Sequence, residues 1–230
     1  MKMEQKVIAT CMTVFLLAAM VVLSRQAAIY TMTAGNENEK IVVIDVGHGG
    51  NDPGKVGVNQ ILEKDVNLAI ALKLQKVLKQ SDLTVVMTRT TDCGLYDENA
   101  TNKKAQDMHR RIQFMEDWHA DLVVSIHQNS FQDSAVCGPQ CFYYANSESG
   151  HQVASIMQNT LNQGLEIEAP RQEKANDSYY ILKKSAMPTV IVECGFLSNP
   201  EDAKKLTDET YQEKLAFQIY LGIQKYFNGL

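Results

Sequence analysis

The sequence predicts an α/β domain whose sheet is largely parallel. Two observations lead there. From residue 41 onward, apolar runs of strand length alternate with longer segments of helical period, as in parallel strands joined by crossover helices. The 230-residue chain is also 45% apolar and 21% charged, which is ordinary globular composition and enough to bury one substantial core. No internal repeat or low-complexity tract divides it, so one domain is the expected count.

The first forty residues stand apart. Lys2 and Lys6 precede an uncharged run from Val7 to Leu23 (VIATCMTVFLLAAMVVL), and the polar GNENEK follows at residues 35–40. That run is longer than a signal-peptide core of roughly 7–15 residues and shorter than a spanning helix of about 20. No clean A-x-A cleavage site follows Leu23. Residues 1–24 are therefore expected to be an apolar helix serving as signal or membrane anchor, residues 25–40 a linker, and residues 41–230 a domain working outside the cytoplasm.

The elements follow in order. IVVIDV (41–46) reads as a strand and residues 63–79 as a helix, with Val66, Ile70, Val77 and Leu78 near one face and Lys73, Lys76 and Lys79 elsewhere. LTVVMT (83–88) is a second strand, 104–118 a helix, and LVVSI (122–126) a third strand. CFYYA (141–145), a helix over 149–165, a short strand near 179–182, the strand TVIVE (189–193) and a helix over 210–227 complete the chain. Irregular, glycine-containing or polar stretches at 47–57, 92–102 and 163–177 are the loops expected to frame a site.

A net charge of −5 with no long Lys/Arg block lacks the electrostatic footprint of a nucleic-acid binder. Five cysteines define no disulfide framework. Cys137 and Cys141 are read as structural, since two cysteines without a second pair make a weak zinc signal.

The chemistry-bearing residues share a placement. His48 lies just past one apolar strand, His127 directly after a second, and Glu193 ends a third. In open α/β sheets ligands bind outside the carboxyl ends of the strands, so two imidazoles and a carboxylate delivered there should converge. Glu193, following VIV and preceding Cys194-Gly195-Phe196, needs a partner or a shifted pKa if buried. A catalytic zinc usually takes three protein ligands. Two histidines are one short, and Asp45, Asp52, Glu63, Asp65 and Glu193 all remain candidates. Asp45 and Asp52 are also placed to hold the His48 ring from behind the metal.

DVGHGG (45–50), LEKDVNL (62–68), MTR (87–89), SIHQN (125–129) and VECGFLSNP (192–200), in that order across residues 41–227, resemble the zinc-dependent N-acetylmuramoyl-L-alanine amidases of bacterial cell-wall turnover. The resemblance implies a twisted sheet of about six strands with helices on both sides. It implies one Zn2+ per chain bound by His48, Glu63 and His127, with Glu193 as the catalytic carboxylate off the metal. The substrate it implies is peptidoglycan, glycan strands carrying stem peptides. Arg89 matches a family position and is expected to pair with an acidic site residue. Arg111 is expected in a structural ion pair, and Asn129 to donate to substrate or loop. Where the family usually has proline this chain has Val46, which should loosen the turn before His48.

The short form with an N-terminal anchor and no wall-binding repeats is most similar to the germination-specific amidases of endospore formers. That implies cortex maturation through muramic lactam formation, or germination, with residence in the forespore intermembrane space and activation by a protein partner as further expectations. Two rival functions remain: a zinc peptidase acting on a different amide, and a non-catalytic anchored wall-binding protein.

Overall fold

A computed structural model describes residues 39–230 together with 12, 13, 15–17, 19, 20 and 23. Those isolated N-terminal positions are helical; the remainder of the expected anchor, and linker residues 25–38, lie outside the described residues. Among the described residues no helix is long and apolar enough to cross a membrane. Residues 40–230 form one compact unit.

Six strands build one sheet: β1 (Lys40–Val46), β2 (Leu83–Met87), β3 (Leu122–Asn129), β4 (Gln140–Tyr143), β5 (Lys174–Ala175) and β6 (Thr189–Phe196). Their spatial order is β2-β1-β3-β6-β4-β5. The first four in that order run parallel, β4 is antiparallel to β6, and β5 is parallel to β4. The largely parallel sheet read from the sequence is thus present, with a mixed edge.

Among the described residues of the domain, six α-helices cover the sheet: α1 (Glu63–Leu78), α2 (Lys103–Asp117), α3 (Glu148–Gly164), α4 (Tyr180–Lys184), α5 (Pro200–Leu206) and α6 (Glu209–Phe227). Because strand side chains alternate between faces, the central strands sort into two cores. Val42, Ile44, Val46, Val124, Ile126, Val190 and Val192 pack with α1, α3 and α6. Val43, Val123 and Ile191 face the other way, with Ile112 and Met115 of α2 and Ile181 and Leu182 of α4. Covered on both sides, these strands tolerate the continuous apolar runs that a one-sided sheet would not.

Two elements differ from expectation. The stretch expected as a strand near 179–182 is α4, a helix. The Asn176 carboxamide oxygen accepts from the backbone N–H groups of Ser178 and Tyr179, turning the chain so that it enters a helix whose Ile181 and Leu182 are buried. The adjoining strand is instead β5, paired with Phe142 and Tyr143. Helix α5 was not anticipated, although Asn199 caps it through Asp202 N–H at 2.9 Å and Pro200 opens it, the usual order of cap and proline at a helix start.

Candidate metal centre and its carboxylate

The site follows from register. Asp45 pairs with Ser125, Ser125 with Ile191, and His127 with Glu193 on three adjacent parallel strands. These positions share the sheet face bearing α2 and α4, so His127 and Glu193 sit side by side at its carboxyl edge. His48 reaches the same edge from the loop after β1.

That loop holds a strained conformation. His48 has φ 61°, followed by Gly49 at 135° and Gly50 at 57°. A non-glycine residue there costs on the order of 1–3 kcal/mol and persists only where its surroundings enforce it. Gly47 is needed for another reason: a Cβ there would lie 2.4 Å from the His127 ring. Gly54, at φ 69°, lets the chain pass within 2.5 Å of the Glu63 carboxylate, measured from the Cβ it lacks.

Two buried guanidinium groups enforce the turn. Arg111 donates to Val46 O at 2.7 Å and His48 O at 2.8 Å while paired with the buried Asp45 carboxylate at 2.7 Å and with Asp107. Arg89 donates to Val46 O, Gly47 O, Lys64 O and Thr91 O. Asn67 adds a bond to Gly47 O at 3.1 Å. The three carbonyls leading into and out of the turn are therefore each held. The Val46 N–H donates to Thr88 Oγ1 at 2.9 Å, a bond proline cannot make. The valine is tied down, against the looser turn expected from losing proline.

His48, Glu63 and His127 come together. One ligand atom from each lies within 4.8 Å of the others, and the two imidazole rings meet edge to face at 5.0 Å. Glu63, in the first turn of α1, spans both rings: Oε2 is 3.2 Å from His48 Nε2 and Oε1 is 3.0 Å from His127 Nδ1. The backbone N–H groups of Lys55 and Gln128 donate to the same carboxylate. Two imidazoles and a carboxylate form a donor set of the kind that holds a catalytic divalent metal, so these residues fit such an ion.

Charge in the cluster is arranged to match. Burial opposes ionisation of Glu63, yet its bonds to His127 and His48 hold the carboxyl below the usual range. Burial likewise opposes charge on His48, but Asp52 Oδ2 at 3.0 Å from Nδ1, together with Glu63, outweighs it and raises the pKa to about 9. Asp52 thus holds one ring nitrogen and leaves Nε2 facing Glu63, the arrangement by which a carboxylate orients a ligating histidine.

Glu193 stands beside the cluster and is only 5% exposed. Oε1 accepts from the Tyr179 hydroxyl at 3.3 Å, whereas Oε2 is buried with no hydrogen-bond partner among the described residues. Burial pushes this carboxyl up to about 7, with Glu63 adding to the rise and His127 opposing it. A group poised near neutrality can both take and return a proton. It lines a cavity of about 90 Å3 with His48, His127, Tyr179 and Asp107, room for a few small polar groups or waters at roughly 10–15 Å3 each.

Three other expected site residues have different placements. Asp45 does not touch His48; it accepts from Arg111, Thr88 and Ser125, and Asp52 takes the role beside the ring. Arg89 binds backbone carbonyls instead of a site carboxylate: two from the turn, Val46 O and Gly47 O, one from the first turn of α1, Lys64 O, and Thr91 O beside it. The Asn129 carboxamide accepts from Ser130 N–H at 2.8 Å and serves the loop. Tyr179, which sequence reasoning did not single out, faces Glu193. Cys93, Cys137, Cys141 and Cys194 are all free thiols.

The Asp45–Arg111 pair carries a stability prediction. Replacing Arg111 with methionine leaves a buried carboxylate uncompensated and should cost about 3–5 kcal/mol in urea denaturation at neutral pH. Burial works against the Asp45 charge, but Arg111 and Ser125 hold its pKa below the ordinary 3.8. Its contribution is thus present above that value and lost as the pH falls through the lower folded value.

Comparison with known proteins bears on this geometry. The profile of the N-acetylmuramoyl-L-alanine amidase family matches residues 42–225. A germination-specific N-acetylmuramoyl-L-alanine amidase of Bacillus subtilis is 37% identical over 191 residues, covering 82% of this chain and 80% of the relative. The CwlD amidase from Clostridioides difficile, solved in complex with the GerS lipoprotein, superposes with a TM-score of 0.80 at 39% identity over 84% of this chain and 100% of that one. The catalytic domain of CwlV, an N-acetylmuramoyl-L-alanine amidase from Bacillus (Paenibacillus) polymyxa, gives 0.73 at 33% identity over 82% and 98%.

Proposed function

This chain belongs to the N-acetylmuramoyl-L-alanine amidase family, and from that premise we propose that it is a zinc enzyme cleaving the amide between the lactyl carboxyl of muramic acid and L-alanine in peptidoglycan. The observation that carries this reading is the meeting of His48, Glu63 and His127 beside a buried carboxylate with one bare oxygen.

His48, Glu63 and His127 would hold the zinc, with Asp52 fixing the His48 ring. A zinc ion bound there supplies Lewis acidity, polarising the amide carbonyl and making water a better acid near neutral pH. Glu193 Oε2 takes a proton from the attacking water and delivers it to the departing alanine nitrogen, so the carboxylate ends as it began. Water's oxygen joins the acyl carbon, the carbon–nitrogen bond breaks, and a free N-terminal alanine leaves. The small cavity admits the reacting amide, while glycan and stem peptide lie across the open surface.

The substrate reading narrows to spore cortex, in maturation or germination, on the strength of the germination-specific relative. On this reading the domain, residues 41–230, works outside the cytoplasm, with residues 1–24 as its signal or anchor. The relative solved in complex with a lipoprotein supports a protein partner for this chain, and activation is the role we assign to it.

The test is mass spectrometry of muropeptides after incubating the zinc-loaded full chain with defined vegetative and cortex peptidoglycan. The expected products are intact stem peptides with free N-terminal alanine and glycan lacking peptide. Cleavage between amino acids would establish the peptidase reading instead, and muropeptides unaltered even with spore extract supplied as a source of the partner would favour a binding protein.

A further inference from the structure

We propose that Tyr179 is a positioning residue for Glu193: its hydroxyl fixes Oε1 so that the bare Oε2 is the oxygen presented to the reacting water. The inference rests on the amidase reading of the site and adds to it the group that selects which carboxylate oxygen works.

Three observations carry it. The first is the contact itself: at 3.3 Å, Tyr179 is the sole side-chain hydrogen-bond partner of the Glu193 carboxylate among the described residues. That length exceeds the roughly 2.5–3.0 Å usual for a hydroxyl donor, as catalytic bonds often do before substrate tightens them. The second is asymmetry. A carboxylate has two equivalent oxygens, and a buried acceptor without a partner costs on the order of 1–3 kcal/mol. Binding only Oε1 breaks the equivalence and leaves Oε2 in need of a donor, which an incoming water satisfies.

The third is that the phenol is itself held from behind. Its ring packs edge-on against Phe142 at 5.5 Å and 85°. Its backbone N–H is tied to the Asn176 carboxamide at 2.9 Å, just before α4 begins. Tyr179 also lines the cavity that holds His48, His127 and Glu193. Burial and the neighbouring Glu193 charge keep the phenol protonated well beyond its ordinary range, so it remains a donor throughout neutral pH. The segment from Asn176 to α4 thereby reads as a mount for a single hydroxyl.

The experiment compares Tyr179→Phe, Glu193→Gln and wild type as full chains, with 3-fluorotyrosine placed at position 179 as a spectroscopic probe. Losing one hydrogen bond to a catalytic carboxylate should lower kcat by about tenfold or more, with KM within about twofold and zinc content unchanged. The 19F resonance at 179 should shift when Glu193 becomes glutamine, whether or not the enzyme is turning over. Unchanged kcat in Tyr179→Phe, a rise in KM alone, or an unmoved 19F signal would overturn the proposal. Should Tyr179→Phe fail to fold, the 19F comparison decides alone, because fluorotyrosine keeps the hydroxyl and the ring. Full activity in Glu193→Gln would remove Glu193 from the chemistry, whereas a wild type that leaves the muramoyl–alanine amide intact would remove the amidase reading, so these failures are separable from failure of the Tyr179 role.

Discussion

Glu193→Gln is expected to lower turnover on peptidoglycan by about 100- to 10,000-fold, the usual worth of a positioned proton-transfer group. Glutamine preserves size and an oxygen able to accept from Tyr179, but it cannot take the water proton. Metal content should not change, because Glu193 belongs to β6 and its nearest hydrogen-bond partner is Tyr179. The variant should also reveal what the carboxylate costs. Burial raises the Glu193 pKa from 4.5 to about 7, so in metal-free protein its favourable, protonated contribution is complete below 4.5 and is lost as the pH rises through 7. At pH 8 the glutamine variant should therefore unfold at higher urea than wild type, and the advantage should vanish as the pH falls toward 4.5. Gained stability alongside lost turnover is the signature of a strained functional carboxylate. Equal turnover in the two proteins would remove Glu193 from the chemistry.

Removing the ion is the second large effect. Chelation of the full chain is expected to abolish amide cleavage and to lower thermal stability. A ligand held at a thousand times its dissociation constant stabilises by about 4 kcal/mol. Glu63→Ala should show the same loss of activity and no further change on chelation. The reason lies in how Glu63 is built in. It bridges His48 and His127 and is itself bound by the Lys55 and Gln128 N–H groups. Its loss leaves two imidazoles 5.0 Å apart with nothing between them. Melting curves with and without chelator check this; a wild type indifferent to chelator would contradict it.

The strand runs were legible because both faces of the central sheet are covered, so β-branched residues run on without a polar interruption. The ends of those runs also pointed to His48, His127 and Glu193, because parallel strands deliver their C-terminal residues to one edge. The choice of Glu63 over Asp52 or Asp65 came from motif resemblance, since spacing does not say which carboxylate a loop folds back. The role of Asp45 depended on Arg111, 66 positions away, a pairing that only the packing of α2 on β1 reveals. Arg89 was misread for a related reason: a buried guanidinium can be satisfied by carbonyls as well as by acids, and the tertiary packing that gathers carbonyls from the turn, from α1 and from the loop after β2 is not written in local periodicity. Tyr179 lay in a short apolar stretch where strand and helix give the same signal, and one Asn176 side chain tips the outcome toward helix.

Catalysis at this site requires above all that His48, Glu63 and His127 bind one metal ion together. Elemental analysis of the purified full chain after dialysis tests this most directly, alongside His48→Ala and His127→Ala with circular dichroism as the control for folding. The prediction is one zinc per wild-type chain and almost none in either folded variant. Metal-free but folded wild type in zinc-containing buffer, or zinc retained in full by both variants, would contradict it.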